Sequence, residues 1–342
     1  MGKPTVHDIA REAGVSLATV DRVLNARAGV RKATVARVQQ AVQSLGYVRD
    51  ISAANLARQR HYRFVFLLPD TSSQFLSALR EAIAETSRGL AKDRCAIETV
   101  SVSLNDPVAL KRAFSKMDED GIDGVAVMAN ETPMVRDMIA RLKARGVAVV
   151  AMITDQPNSE RDHFVGIDNT AAGRTAAVLM GRFIDAPAGK IAVVVNTMLA
   201  RDMVERRIGF DQVMAERFAG LEPLPTVEGR DDHELTAQVT AQCLDRNSDV
   251  VGIYCVGAGL RGVTQVLRER NLEQKVVVVG HDLTPHACAA LREGALDVVI
   301  NQNTGHLARS AARVLRAHCD GVDVIASQEK IRIEIVLKEN LP

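Results

Sequence analysis

Asp70, Asn130, Asp168 with its neighbour Asn169, Asp282 and Gln302 share one placement: each closes or follows an apolar run, in FVFLLP, GVAVMAN, FVGID, VVVVG and VVINQ. Open α/β sheets bind ligands beyond the carboxyl ends of their strands, so the recurrence predicts a polar cleft. Taken singly, each of these side chains is more often a helix cap or a loop residue, and it is their recurrence that carries the signal. The chemistry on offer is hydrogen bonding to a small molecule rather than bond breaking. The chain shows no metal-ligand spacing, no phosphate loop and no Gly-x-Ser-x-Gly elbow, and YCVGAGLRG falls short of a full GxGxxG signature. No catalytic residue, metal or cofactor is therefore expected. Cys95, Cys243, Cys255, Cys288 and Cys319 are scattered without CxxC spacing and read as reduced, largely buried thiols.

A second kind of chemistry is concentrated at the start of the chain. The first sixty residues carry ten Lys or Arg against four acids, a surplus of six, whereas the whole chain is +1 and the remainder therefore −5. That segregation favours a polyanionic partner for the N-terminal piece alone. Within it, VHDIAREAGVSLATVDRVLN sets Ile9, Ala10 and Ala13 on one short helical face, breaks at Gly14, and places Ser16 to cap a second helix carrying Val20, Val23 and Leu24. Val15 can plug the corner. Two short helices joined at a glycine also occur in ordinary bundles; the local charge tips the reading to a helix-turn-helix that presents its second helix to a DNA major groove. A third helix through Thr34, Val38, Ala41 and Leu45 ends at Gly46 and closes the head, leaving Arg31, Lys32 and Arg37 for phosphates. The following RDISAANLARQR has too few apolar residues to stand alone, so it is expected to fold only on DNA and against a second copy.

From Tyr62 the pattern alternates near-continuous apolar strands with amphipathic helices, which implies parallel sheets covered on both faces. At 342 residues the chain accommodates the head and two α/β subdomains. The expected division is a head over 1–48, a linker over 49–61 and a core over 62–342, with one subdomain near 62–166 and 302–328 and the other near 167–301 and 329–342. No run is long enough for a membrane span and MGKPTVHDIA has no apolar signal segment, so a cytoplasmic protein is expected. With no tryptophan, a pocket must stack on Phe75 or Tyr254 and otherwise hydrogen-bond, which favours a monosaccharide, pentose or polyol over a long oligosaccharide.

Over essentially its full length the chain resembles the lactose-repressor (LacI/GalR) family of bacterial transcription regulators. The resemblance rests on TVHDIAREAGVSLATVDRVLN, the spacing from Thr34 to Leu45-Gly46-Tyr47, Ala53 and Leu56, PDTSSQF, VGIDNTAAGRTAA, Arg206-Arg207-Ile208-Gly209-Phe210, VVVVGHD and INQ. It implies a helix-turn-helix head, a hinge helix and a two-subdomain core similar to periplasmic sugar-binding proteins, working as a dimer. Leu17, Ala18 and Arg22 fall where the family touches base edges. Thr5, Ser16, Thr19, Asn25 and Thr34 fall at phosphate contacts, and Leu56 where a hinge side chain wedges into the minor groove. In the core Asp70, Phe75, Asp168, Arg206, Asp282 and Gln302 fall at ligand contacts, and a fork of Arg among carboxylates suits a neutral polyhydroxylated molecule.

Three departures stand out. Asp21 replaces the usual Ser beside a phosphate track, and Arg49-Asp50 replaces Pro-Asn before the hinge. Cys255-Val256-Gly257-Ala258-Gly259 stands where many relatives carry an Asn-Asp pair, with His281 and His286 available to supply the missing polarity. The chain stops at IRIEIVLKENLP without a leucine-heptad tail, so a homodimer is expected. The expected function is a repressor of carbohydrate-use genes, released from a palindromic double-stranded operator by a small sugar or polyol. A corepressor-dependent regulator, whose ligand tightens DNA binding, uses the same residues with the opposite sign. A sugar-binding protein without DNA function is the alternative from another class, and it leaves the basic head without a purpose.

Overall fold

The structure, a computed structural model, describes residues 4–24, 27–47 and 60–342. The chain divides into two compact units, residues 1–60 and 61–342. The first holds α1 (Val6–Ala13), α2 (Leu17–Leu24) and α3 (Lys32–Ser44). Thr5 and Asp8 form a capping box at the start of α1, the Thr5 amide donating to the Asp8 carboxylate at 2.9 Å. Gly14 ends α1 at φ 61, a left-handed conformation that costs glycine nothing. The Thr19 amide donates to Ser16 Oγ at 3.2 Å, so Ser16 caps α2 as its spacing predicts. Ile9, Val20 and Val38, fully buried, meet Ala13 and Ala41 in one small core, with Val15 packed at its corner. The linker expected over 49–61, including Ala53 and Leu56, lies almost wholly outside the described residues, as does Asn25.

The second unit is built from two lobes. The first contains β1 (Tyr62–Pro69), α4 (Gln74–Leu90), β2 (Cys95–Val102), α5 (Pro107–Asp120), β3 (Gly124–Val127), α6 (Pro133–Ala144), β4 (Ala148–Met152) and β5 (His163–Val165). Its sheet runs β2-β1-β3-β4-β5, all parallel. The side-chain period of two sorts β1 cleanly: Phe64, Phe66 and Leu68 enter one core, Val65 and Leu67 the other.

The second lobe continues with α7 (Asn169–Phe183), β6 (Gly189–Val195), α8 (Arg201–Arg217), β7 (Leu221–Pro223), β8 (Val227–Glu228), α9 (His233–Arg246) and β9 (Val250–Cys255). It is completed by α10 (Leu260–Glu269), β10 (Val277–His281), α11 (Pro285–Glu293), β11 (Val298–Asn301) and, later in the chain, β12 (Glu334–Val336). Its sheet runs β12-β11-β10-β9-β6-β7, with β8 also pairing β6, and only the β11–β12 pair is antiparallel. Between β11 and β12 the chain returns to the first lobe as α12 (Thr304–Asp320), which packs on α4, β3 and β4, followed by the short α13 (Ala326–Glu329). The polypeptide thus crosses between lobes three times, after β5, after β11 and after α13. No helix among the described residues is long and apolar enough to cross a membrane.

One close contact fixes the site. α7 and α8 cross so tightly that a Cβ on Gly173 would lie 1.9 Å from the Arg206 carbonyl oxygen, and one on Gly209 would lie 2.1 Å from that of Thr170. Only glycine permits this approach. It sets the Arg206 side chain against the first residue of α7.

Candidate functional site

The cleft between the lobes opens where the strands end. Pro69 gives way to Asp70, Val127 to Met128 and Asn130, Met152 to Ile153, Val195 to Asn196, His281 to Asp282 and Asn301 to Gln302, and these polar residues line one inner chamber of about 200 Å³. Ile153, Asp231 and Asp282, all on this wall, hold the left-handed conformation at φ 69, 60 and 66. For a β-branched residue such as Ile153 this is a rare and costly conformation, and such strain collects at ligand sites where the surrounding structure enforces it.

Arg206 is the centre of the chamber. It is 1 % exposed; its Nε donates to Asn169 Oδ1 at 2.9 Å and one Nη to the Val256 carbonyl at 2.8 Å. Its other terminal nitrogen finds no acceptor among the described residues. Asp202, one turn earlier on α8, and Asp282 both feel its charge, yet among the described residues neither closes an ion pair with it. Burial pushes the Asp282 carboxyl up to about 6, against the opposing pull of Arg206 and of a 3.1 Å bond from Gln302 Nε2. Burial likewise raises Asp202 and Asp231; Arg206 and Thr154 oppose it at the first, Asn196 and Thr71 at the second. Gln302 Oε1 has no hydrogen-bond partner among the described residues. A guanidinium fork, three carboxylates and an amide, each with unspent hydrogen-bonding capacity, suit a molecule that donates and accepts at adjacent positions.

The expected ligand residues therefore divide. Asp70, Phe75, Asn130, Arg206, Asp282 and Gln302 come together on the chamber wall. Asp168 does not: it is exposed and spends its carboxylate on the Ala171 amide at 2.8 Å as the cap of α7. The next residue, Asn169, points inward and holds Arg206. Tyr254 is fully buried behind the chamber, stacked on Phe210 with ring centroids 4.5 Å apart, and meets His281 Nε2 through its hydroxyl at 2.9 Å. Burial keeps both groups neutral, lowering His281 and raising Tyr254. His286 is committed to Thr264 at 2.8 Å. Asp202, Asp231 and Thr154 line the chamber and are not singled out by the strand-end signature, while Asn196 directly follows β6 and carries that signature although it is absent from the expected set. Asp202 does share a helical face with Arg206, four residues on, and that spacing was readable.

At the cleft mouth Arg201 of the second lobe donates to Glu131 of the first at 2.9 Å, and Asn158 holds the other Glu131 oxygen at 2.5 Å. The Arg201–Glu131 contact ties the lobes together, and Asn158, of the same lobe as Glu131, holds that carboxylate in place.

In the first unit Leu17, Ala18 and Arg22 stand exposed along α2. Leu17, at 42 % exposure, is not part of the core. The hydroxyls of Thr5, Ser16 and Thr19 are shared with caps: Thr5 Oγ1 donates to Asp8 at 2.7 Å, and Ser16 and Thr19 lie 2.9 Å apart. Thr34 occupies the first turn of α3, whose N-cap, Arg31, supplies no side-chain bond and so leaves the helix start open to an anion.

Residues 5–50 match the family described as bacterial regulatory proteins, lacI family, and residues 64–323 match the periplasmic binding protein domain. The chain belongs to the periplasmic binding protein domain family over most of its length and carries a lacI-family regulatory domain ahead of it. The HTH-type transcriptional regulator CelR of Thermobifida fusca is 25 % identical over 99 % of this chain and 97 % of its own. The HTH-type transcriptional regulator DegA of Bacillus subtilis is 24 % identical over 72 % of this chain and 71 % of its own. Among solved structures, an ABC transporter solute binding protein from Burkholderia graminis in complex with D-arabinose covers 82 % of this chain and 96 % of its own at TM-score 0.74 and 22 % identity. GanP, a glucose-galactose binding protein from Geobacillus stearothermophilus, covers 83 % of this chain and 99 % of its own at TM-score 0.73 and 20 % identity. The protein is a DNA-binding transcriptional regulator, not an enzyme, and its core has the periplasmic-binding-protein fold.

Two predictions arise here. Asp21, the departure in α2, lies 3.3 Å from Arg27 with both side chains more than half exposed. Such a pair contributes at most about 1 kcal/mol, so Asp21→Ser should leave the melting temperature of the regulator nearly unchanged. It removes an anion from the DNA-facing unit and releases Arg27, so operator binding should tighten and the log–log salt slope steepen by about 0.9. Anisotropy titrations at several salt concentrations would show it.

Asp282 makes ligand-free stability depend on pH. Its folded pKa, about 6, lies above the ordinary 3.8. Below pH 4 the carboxyl is protonated folded or unfolded and costs nothing; between 4 and 6 the folded state holds a proton that the unfolded state has lost. Above 6 both are ionised and the full penalty stands, about 3 kcal/mol at roughly 1.4 kcal/mol per unit. The stability of Asp282→Asn relative to the parent should therefore rise by about that amount from pH 4 to 7 in urea unfolding. A flat difference would remove Asp282 from this role.

Proposed function

We propose that the protein is a ligand-responsive repressor of carbohydrate-use genes, acting in the cytoplasm as a homodimer that a small neutral sugar or polyol releases from a near-palindromic operator. The observation that carries the ligand reading is the buried Arg206 nitrogen without a partner, facing carboxylates that do not neutralise it by contact. A hydroxylated molecule placed between them donates to Asp202 and Asp282 and accepts from Arg206, satisfying both sides. The sugars named for the solved relatives, D-arabinose and glucose or galactose, support this class.

On the DNA side, Arg22 pairs with a guanine edge while Leu17 and Ala18 meet thymine methyls or the groove wall. Thr5, Ser16, Thr19, Asn25 and Thr34 hold phosphates, and Ala53 and Leu56 serve the hinge at the minor groove. Two heads read two half-sites. The lobes carry the coupling: ligand in the cleft selects one arrangement of the lobes, the hinges separate and unfold, and operator affinity falls. By linkage, operator DNA weakens ligand binding by the same factor.

The test is selection of a bound sequence from random duplexes, followed by anisotropy titrations on it with and without sugars and polyols. Loss of affinity on adding a sugar supports the repressor reading. A gain makes the ligand a corepressor, and no sequence-selective binding under any condition refutes the proposal.

A further inference from the structure

The inner chamber adjoins an outer one of about 300 Å³, and the two share Ser73, Phe75, Asp231, Gly257, Ala258 and Asp282. The first lobe contributes Ser72 and Gln74 to the outer wall, the second Arg261, His281 and the turn Gly257-Ala258-Gly259. That turn is bare for physical reasons. A Cβ on Gly257 would meet Met203 Sδ at 2.9 Å, and Gly259 holds φ 131, which side-chain-bearing residues rarely adopt. Gly259 is also the N-cap of α10 and provides no side-chain acceptor, so the first amides of α10 are left without a cap beside the chamber.

His281 supplies an independent sign of a missing partner. It is 2 % exposed and lines the outer chamber; its Nε2 is taken by Tyr254, while Nδ1 has no partner among the described residues. Burial keeps the ring neutral, and because the buried Tyr254 hydroxyl has no other acceptor among the described residues it is assigned as the donor to Nε2, which puts the ring proton on Nδ1. Against these donors stand the carboxylates of Asp231, Asp232 and Asp282, with Arg261 and two imidazoles, His233 and His286, on the same wall. Asp232 is partly spent as the cap of α9, bonding the Leu235 amide at 2.8 Å. A phosphate or carboxylate group entering here meets like charge, whereas a hydroxyl both donates to a carboxylate and accepts from Nδ1–H or an α10 amide.

We propose that the outer chamber is a second sugar subsite, so that the effector is a neutral two-unit carbohydrate with one ring on Arg206 and its linked neighbour against His281 and the glycine turn. This rests on the reading that the cleft binds a sugar, and it extends the effector beyond the single ring that the sequence favours. The inner chamber alone is smaller than the roughly 300 Å³ at which ligand pockets begin, and the two together fall within that range.

The test is calorimetry on the full-length protein with cellobiose, lactose, maltose, melibiose, sucrose and trehalose, their component monosaccharides, and glucose 6-phosphate. Ser72 is exposed on the outer rim, so Ser72→Trp narrows that chamber without touching a core; Arg261→Trp does the same from the opposite wall. One disaccharide should bind at least about tenfold more tightly than either of its components, a difference of about 1.4 kcal/mol. Both tryptophan variants should remove that advantage and leave monosaccharide affinity unchanged. Monosaccharides binding as tightly as every disaccharide would overturn the second subsite and leave the sugar reading standing. Tighter binding of glucose 6-phosphate than of glucose would overturn the charge argument, and no response to any of the sugars would overturn both readings.

Discussion

Arg206→Ala is expected to lose effector binding by at least about a hundredfold and to destabilise the core by about 3–5 kcal/mol, the range for removing one member of a buried charged group. The reason lies in what stays behind. Asp202 and Asp282 are buried and their carboxyls are already pushed up by desolvation, with Arg206 the main charge holding them down. Without it both rise further, and the Val256 carbonyl and Asn169 lose their donor. Arg206→Lys separates stability from recognition. An ammonium restores the charge, and with it much of the stability, but it cannot reach Asn169, Val256 and a ligand at once as a planar fork does. Its melting temperature should approach the parent's while effector affinity stays at least about tenfold down. Because residues 1–60 form a separate unit, both variants should still bind operator DNA, and added sugar should no longer change that binding. Wild-type sugar affinity in Arg206→Lys would show that the unpartnered nitrogen is not the ligand's contact.

How this site is legible in the sequence follows from the geometry of strand ends. Asp70, Asn130, Asp282 and Gln302 announce themselves because a parallel strand delivers whatever follows it to one edge of the sheet. Asp168 misled for the same reason. At a strand-to-helix turn two consecutive polar residues compete, and the cap geometry turns the first outward to the Ala171 amide while the first residue of the helix faces in. Tyr254 misled because it is inside β9, where alternation directs it to the face under α8 and onto Phe210. Asp202 and Asp231 were hidden because an acid at a helix start or in a loop reads as ordinary capping. Only the approach of the lobes, a long-range property, buries them. In the head the local rules sufficed, since Thr5, Gly14 and Ser16 are each fixed by neighbours within three or four residues.

The glycines at the α7–α8 crossing carry the second large effect. A methyl group at Gly209 would sit 2.1 Å from the Thr170 carbonyl oxygen and 3.1 Å from the Arg174 amide nitrogen, and neither is a side chain that can swing away. The helices themselves must part. Overpacking a closed interior costs about 1–3 kcal/mol when side chains absorb it and more when backbone must move, so Gly209→Ala should lose about 3 kcal/mol or more. A shift between these helices separates Arg206 on α8 from Asn169 at the start of α7, a contact now at 2.9 Å. Effector affinity should therefore fall together with stability. Gly89→Ala is the matched control. It too lies in a helix, α4, but a methyl there meets nothing within 4 Å. With only the backbone-entropy term of glycine removed, it should stabilise the protein by about 0.5–1 kcal/mol and leave effector binding alone. If the two variants shifted the urea midpoint equally, the close crossing would not be what holds Arg206 in place.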